Sequence, residues 1–161
     1  MALPLLADPN FDRTIVLLLT HGDDGTIGVV LNRPSTTDVA EVLPRWDGLA
    51  ADPAVVYVGG PVQPEVAIAL GLGADLEVAS IDLDGDPLLA AARQIRVFAG
   101  YAGWSPGQVE EEVAEGAWVV VEARPLDAFS AAPEDLWSTV LRRQPGTLAW
   151  MANLPEDVSV N

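Results

Sequence analysis

The sequence predicts an α+β fold, close to α/β in character: one compact domain over residues 1–161 with a mixed β-sheet flanked by a few helices. Three observations predict it. Hydrophobic residues make up 50% of the chain, enough to bury a core in one domain. Short apolar runs are bounded by Gly, Pro and Asp clusters, which is the pattern of strands and turns. Capped helical segments fall between some of these runs but not all, so there is no strict βαβ repetition. No internal repeat, linker or domain boundary interrupts the chain.

The first strand is "TIVLLLT", 14–20, a continuous apolar run of the kind covered on both faces. "HGDDGT" is a turn cluster, and "IGVVLN", 27–32, is the strand that completes a hairpin. Pro34 holds Arg33 extended and ends that strand. A short helix follows from Val39 to Leu43, capped by Thr37 or Asp38. "AVVYVGGPV", 54–62, runs into a glycine corner, and "VAIAL" (66–70) and "LEVASI" (76–81) are further strands. Asp86 and Pro87 then open a helix through "LLAAA". "IRVFAGYA", 95–102, is the next strand.

The strongest local signal is "SPGQVEEEVAEG", 105–116. Ser105 and Gln108 have capping-box spacing, Pro106 sits at the first helical position, and Gly116 stops the helix. Val109 and Val113 share a face. "AWVVVEA", 117–123, reads as a strand. "PEDLWSTVLRR", 133–143, is a helix whose buried stripe is Leu136, Trp137, Val140 and Leu141. The tail from 154 to 161 is polar and expected to fray.

Charge and composition narrow the function classes. There are 24 acidic and 8 basic residues, a formal net charge of −16. Such a surface repels phosphate backbones, so direct nucleic-acid binding is not expected. All 8 basic residues are arginine, which excludes a Walker phosphate loop with its lysine. The absence of cysteine excludes disulfides, thiolate nucleophiles, zinc–thiolate sites and iron–sulfur clusters. It also fits a cytoplasmic location. No signal-peptide pattern opens the chain, and no apolar run is long enough to span a bilayer. Neither a membrane partner nor a cofactor is expected.

The candidate functional residues fall in four places. His21 follows a strand and opens an acidic turn, where Asp23 or Asp24 would orient it as a base; the competing reading is a turn histidine bonded locally. Asn32 can pin a strand end, and Arg33 can clamp a carboxylate or phosphate or form an internal ion pair. Gly59 and Gly60 make a tight corner of the kind that exposes amides to an anion. Tyr101 and Trp104 offer a docking surface for a ligand or partner, or close the core over a helix start. Asp82, Asp84 and Asp86 alternate like the start of a calcium loop, but the glycine comes at the fourth place and Arg93 stands where a glutamate is needed. They are assigned to a solvated turn. No "GxSxG" elbow is present, and no catalytic or metal-binding set is assigned.

These same segments carry a resemblance. "LLADPNFDRTIVLLLTHGDDGTIGVVLNRP", "VYVGGPV", "VFAGYAGWSPGQVEEEV", Trp118 and "LW" at 136–137 resemble, in order, the AlgH/YqgE family of bacterial proteins. The resemblance implies a cytoplasmic protein with a mixed sheet. Some members are labelled transcriptional regulators, and the family has no agreed activity, cofactor or catalytic set. It also implies a leading strand before "DPNF", a stretch this chain enters part-way as "MALPLLADPNF". Without that strand a sheet edge stands open to self-association. Two function classes follow. One is a non-enzymatic interaction or regulatory protein that reaches transcription through another protein, docking near Tyr101 and Trp104. The other is a small-ligand binder or hydrolase-like enzyme around His21, Asn32, Arg33 and the Gly59–Gly60 corner.

Overall fold

In the computed structural model, which describes residues 1–3, 6 and 8–152, the first two apolar runs pair as a hairpin. Strand β1 (Val16–Gly22) runs antiparallel to β2 (Gly25–Val30), and Gly22 pairs with Gly25 across a turn of Asp23 and Asp24. The turn is tighter than the sequence suggests, because His21, Gly22, Gly25 and Thr26 belong to the strands. The second face of β1 is also less covered than its unbroken apolar run predicts. Leu18 is 41% exposed.

Pro34 does not end the extended chain. It begins β3 (Pro34–Asp38), antiparallel to β4 (Val55–Val58). A proline at the first residue of an edge strand sacrifices no ladder bond. Asp38 stands at the N-cap of α1 (Val39–Val42), although its side chain makes no capping bond. A 3-10 turn, Pro44–Leu49, then buries Trp46.

Strand β4 stops at Val58, and β5 (Val62–Leu72) is longer than the strand expected at 66–70. Its register breaks between Val62 and Ala67, where Gln63 adopts a left-handed φ of 46° and Pro64 withholds a donor. Strand β6 (Val78–Ile81) pairs with β5. The helix expected through "LLAAA" is only a 3-10 turn, Pro87–Leu89, whose Leu88 N–H is capped by Asp86. The stretch buries no apolar stripe there, and so short a helix has little stability of its own.

Strand β7 (Gln94–Trp104) organises the sheet. Along one edge it pairs antiparallel with β5. Its other edge is shared: Phe98 and Ala99 pair in parallel with Tyr57 and Val58 of β4, and Ala102 to Trp104 pair antiparallel with Gly28 to Thr26 of β2. The strand is buried on both faces. Ile95 and Val97 join Val39 and Trp46 on one side, while Phe98 joins Tyr57, Leu70 and the α3 residues named below on the other.

Helix α2 (Gln108–Ala114) keeps half of the expected capping box. The Gln108 side chain accepts the Ser105 N–H at 3.0 Å, but the Ser105 hydroxyl does not cap. Gly107 and Gly116 take left-handed φ of 79° and 80° at its two ends. Residues 117–123 are not a strand, against expectation; only Trp118 makes an isolated bridge, to Ala2. Among the described residues, backbone pairing to this segment involves only Met1 to Leu3 and stops at Val119, so no ladder runs along it. Helix α3 (Leu136–Arg142) follows a 3-10 turn and buries Leu136, Trp137, Val140 and Leu141 as its spacing predicts. Helix α4 (Thr147–Met151), not foreseen, packs against it. The tail expected at 154–161 lies outside the described residues. The whole is a mixed sheet flanked by short helices, the α+β arrangement expected. Among the described residues no helix is long and apolar enough to cross a membrane.

Candidate functional site

The candidate residues lie at separate places on the sheet. His21 is at the turn end of the hairpin. Its Nδ1 is 2.8 Å from the Thr26 hydroxyl, and its Nε2 is 3.3 Å from Glu110 of α2. Both ring nitrogens thus have partners within the chain, and the ring ties the hairpin to the helix. Asn32 and Arg33 sit beyond the other end of β2. At about 3.3 Å per strand residue, Thr26 and Asn32 lie roughly 20 Å apart. No single site unites His21 with Asn32.

Asn32 is buried, and both polar atoms of its side chain are bonded. Its Oδ1 accepts the Ile15 N–H at 2.9 Å, and its Nδ2 donates to the Arg13 carbonyl at 2.9 Å. It pins the loop before β1 to the end of β2. Arg33 donates to the Asp12 carbonyl on the same loop. The guanidinium of Arg13 stacks over the Trp137 ring, 4.9 Å from its centroid. Together with Arg142, Glu134 and Asp12 these side chains border a polar hollow of about 520 Å³.

Gly59 and Gly60 form a crossing point of two backbones. A Cβ on Gly59 would lie 2.3 Å from the Gly100 carbonyl oxygen, and one on Gly60 would lie 2.2 Å from the Tyr101 carbonyl carbon. The glycines let the exit of β4 pass directly over β7. The Gly59 carbonyl also accepts the Val30 N–H at 2.8 Å, so β2 and β4 are joined at the same point.

Trp104 closes core. It is 7% exposed and packs against Phe11 and Trp118. Tyr101 is partly buried against the large core cluster. One carboxylate holds the aromatic group together: Glu112 Oε2 accepts the indole N–H of Trp104 at 2.9 Å and of Trp118 at 2.8 Å.

The acidic loop 82–86 is a braced turn. Asp82 accepts the Asp84 N–H, the Trp46 indole donates to the Leu83 carbonyl at 3.0 Å, and Arg45 donates to the Gly85 carbonyl at 3.1 Å. Among the described residues no three His, Asp or Glu side chains are grouped to hold a metal. The loop carries Leu88 and Leu89 outward, 92% and 84% exposed.

A sequence profile described as AlgH-like matches residues 1–149. The chain belongs to the AlgH-like family. A UPF0301 protein of Streptomyces avermitilis is 47% identical over 178 residues, covering 100% of this chain and 92% of its own length. A UPF0301 protein of Nocardia farcinica is 45% identical, covering 97% of this chain and 80% of its own length. The crystal structure of a Corynebacterium diphtheriae protein superposes with a TM-score of 0.89 at 29% identity, over 95% of this chain and 88% of that one. The solution structure of the AlgH protein from Pseudomonas aeruginosa gives a TM-score of 0.67 at 29% identity, over 98% and 92%.

In this AlgH-like chain the most constrained polar residue is one that sequence reasoning passed over. Arg96 is 2% exposed in the middle of β7. Its guanidinium donates to the carbonyls of Ala51, Asp52, Pro53, Ala128 and Ser130 and to the Tyr57 hydroxyl, and it stacks on the Tyr57 ring. Burial lowers its pKa from the ordinary arginine value and raises that of Tyr57. The available signal was a lone arginine inside the apolar run "IRVFAG". Asp127 and Arg143 form a second internal pair, with a 2.7 Å bond from Nη1, and that bonding raises the Arg143 pKa.

Proposed function

We propose that this AlgH-like protein is a non-enzymatic cytoplasmic interaction module, which reaches any regulatory target through another protein rather than through DNA. The observation that carries the reading is the Leu88–Leu89 knob. Two leucines stand almost fully in solvent on a turn held by Asp86, Arg45 and Trp46, so the knob is both exposed and fixed. Exposed apolar groups on a rigid platform favour docking, since little order is lost on binding. Asp82, Asp84 and Asp86 precede them in the same loop, in a chain of net charge −16. The matching partner is a protein with an apolar socket rimmed by Lys or Arg. The knob replaces Trp104 as the centre of this reading, because Trp104 is buried.

Native mass spectrometry of the protein captured from its own cytoplasm tests it. A partner at fixed stoichiometry is expected, with at least tenfold weaker binding when Leu88→Ser and Leu89→Ser are combined. Full retention of the partner by the double variant, or tight sequence-specific DNA binding at physiological salt, refutes the reading. One observation bears on a second reading, a small-ligand binder: Arg13, Arg33 and Arg142 border the hollow of about 520 Å³ beside Asn32, together with Asp12, Glu134 and Asp135. Titration calorimetry with acetate and inorganic phosphate decides it, and heat that survives Arg33→Ala counts against that site.

A further inference from the structure

The polar hollow beside Asn32 is rimmed by charges of both signs that do not meet. Arg33, Arg142, Asp12, Glu134 and Asp135 border it, as does Arg13, which stacks over Trp137. Three of the chain's 8 basic residues collect here, although acidic residues outnumber them threefold along the sequence. Three arginines against three carboxylates bring the formal charge of this rim to zero, where the chain as a whole carries −16. Among the described residues, neither Arg142 nor any of the three carboxylates takes part in an ion pair. The pairs of His21 with Glu110 and of Asp127 with Arg143 are not on this rim.

The spacing along α3 keeps the charges apart. Asp135, at its N-cap, and then Ser138 and Arg142 stand at i, i+3 and i+7, so they share one face of the helix. At 1.5 Å per residue, Asp135 and Arg142 lie about 10 Å apart along the axis, too far to pair. The position four before Arg142, where an acid would pair with it, holds Ser138 instead. The Ser138 hydroxyl donates to the Asp135 carbonyl at 3.0 Å and leaves the carboxylate unbonded. Off the helix, Arg33 is held by the carbonyls of Asp12 and Asn32, with N–H groups of its guanidinium to spare. Asn32 gives one Nδ2 hydrogen to the Arg13 carbonyl; among the described residues the other has no acceptor. It offers a donor for a peptide carbonyl.

Such a rim discriminates by charge. A simple anion drawn to Arg33 or Arg142 also meets the three carboxylates, and a simple cation meets the arginines. A molecule with an ammonium at one end and a carboxylate at the other is attracted at both ends and repelled at neither. The span selects its length, since three residues of extended peptide reach about 10 Å. We propose that the hollow binds the zwitterionic backbone of a short peptide of about three residues. Its carboxylate lies against Arg142 and its ammonium against Glu134 and Asp135. The proposal rests on the second reading above, that this hollow takes a small ligand, and adds the class of that ligand.

The test titrates triglycine into the full-length, isotopically labelled protein and follows the magnetic resonance signals of the Trp137 indole and the Asn32 side-chain amide. N-acetyl-triglycine, which lacks the ammonium, and triglycine amide, which lacks the carboxylate, are the controls. Triglycine is expected to shift both signals and to bind at least tenfold more tightly than either control. Arg142→Gln is expected to weaken triglycine at least tenfold and to leave triglycine amide unchanged. Glu134→Gln combined with Asp135→Asn is expected to weaken triglycine equally and to leave N-acetyl-triglycine unchanged. All three side chains are exposed, so the fold survives these changes. Equal affinity for triglycine and its two blocked forms overturns the proposal. Triglycine binding that persists undiminished in both variants also overturns it and places the peptide elsewhere. If acetate or phosphate shifts the two signals and triglycine binds no better, the peptide assignment falls while the small-ligand reading stands. Silence of both signals towards all of these molecules overturns the two together.

Discussion

Replacing Arg96 with methionine keeps a flexible apolar stem in the core but removes every donor of the guanidinium. Five carbonyls and one hydroxyl then lose a charged partner at a place where Arg96 itself is 2% exposed. Each acceptor left buried and unbonded costs about 1–3 kcal/mol. All five belong to residues 51–53 and 128–130, which are irregular backbone, so some of them can turn partly to water. Relief of the guanidinium's own desolvation offsets part of the loss. With two acceptors left unmet, the net destabilisation is about 3–5 kcal/mol, the range seen when a buried charged partner is removed. At roughly 2–4 °C per kcal/mol for a domain of this size, the melting midpoint falls by about 6–20 °C. Urea unfolding of both proteins measures it, with an unchanged m-value showing that the denatured state is comparable. Arg96→Lys is expected to fare little better, because an ammonium cannot reach carbonyls on both sides of the fork. A loss under about 1 kcal/mol for Arg96→Met would refute the reasoning and mean that water satisfies those carbonyls.

Four further outcomes are expected. The Met1 amine, lowered from 8.0 to about 6, binds fewer protons folded than unfolded between those values, so stability rises with pH across that window. The rise is about 3 kcal/mol, and the difference curve against the acetylated chain isolates it in pH-dependent urea unfolding. Glu112→Ala strands two indole N–H groups and is expected to cost about 2–4 kcal/mol with altered tryptophan fluorescence; an unchanged spectrum counts against the clamp. Gly60→Ala places a Cβ 2.2 Å from the Tyr101 backbone, which cannot swing aside, so a loss of at least about 3 kcal/mol or failure to fold is expected from thermal melts. His21→Ala removes a half-exposed ring and is expected to cost under about 1 kcal/mol; a larger fall in the melt would show that the hairpin depends on it.

Elements with a local cause were legible in the sequence. The β1–β2 hairpin, α1, α2 and α3 each announced themselves by periodicity or by a cap, and Asp86 capped the turn it was assigned. The failures depended on neighbours distant in the chain. "PSTTD" is polar and opens with proline, yet it forms β3 because β4 offers an edge. Residues 117–123 have the right composition but, among the described residues, no pairing partner beyond Val119. Pro64 lies within β5 because a bulge absorbs it. Residue type singled out Asn32, Gly59 and Gly60, and the structure gives each a task within the fold. Their tasks were set by Ile15, Arg13 and Gly100, which sequence spacing does not bring near. Arg96 escaped notice because its partners are main-chain carbonyls, which carry no side-chain signature.

The placing of β7 has a consequence for how the chain is made. Strands β2, β4 and β5 all pair with residues 94–104, and β2 and β4 share one edge of that stretch. A nascent chain growing from its N-terminus can form the β1–β2 hairpin early, but the sheet cannot close until residue 104 is free. At translation speeds of about 5–20 residues per second, its apolar strands wait for several seconds without a template. Contacts of such sequence separation also close slowly once all parts are present. The growing polypeptide therefore carries its apolar strands unpaired until β7 emerges, and β7 is the segment whose release closes the sheet.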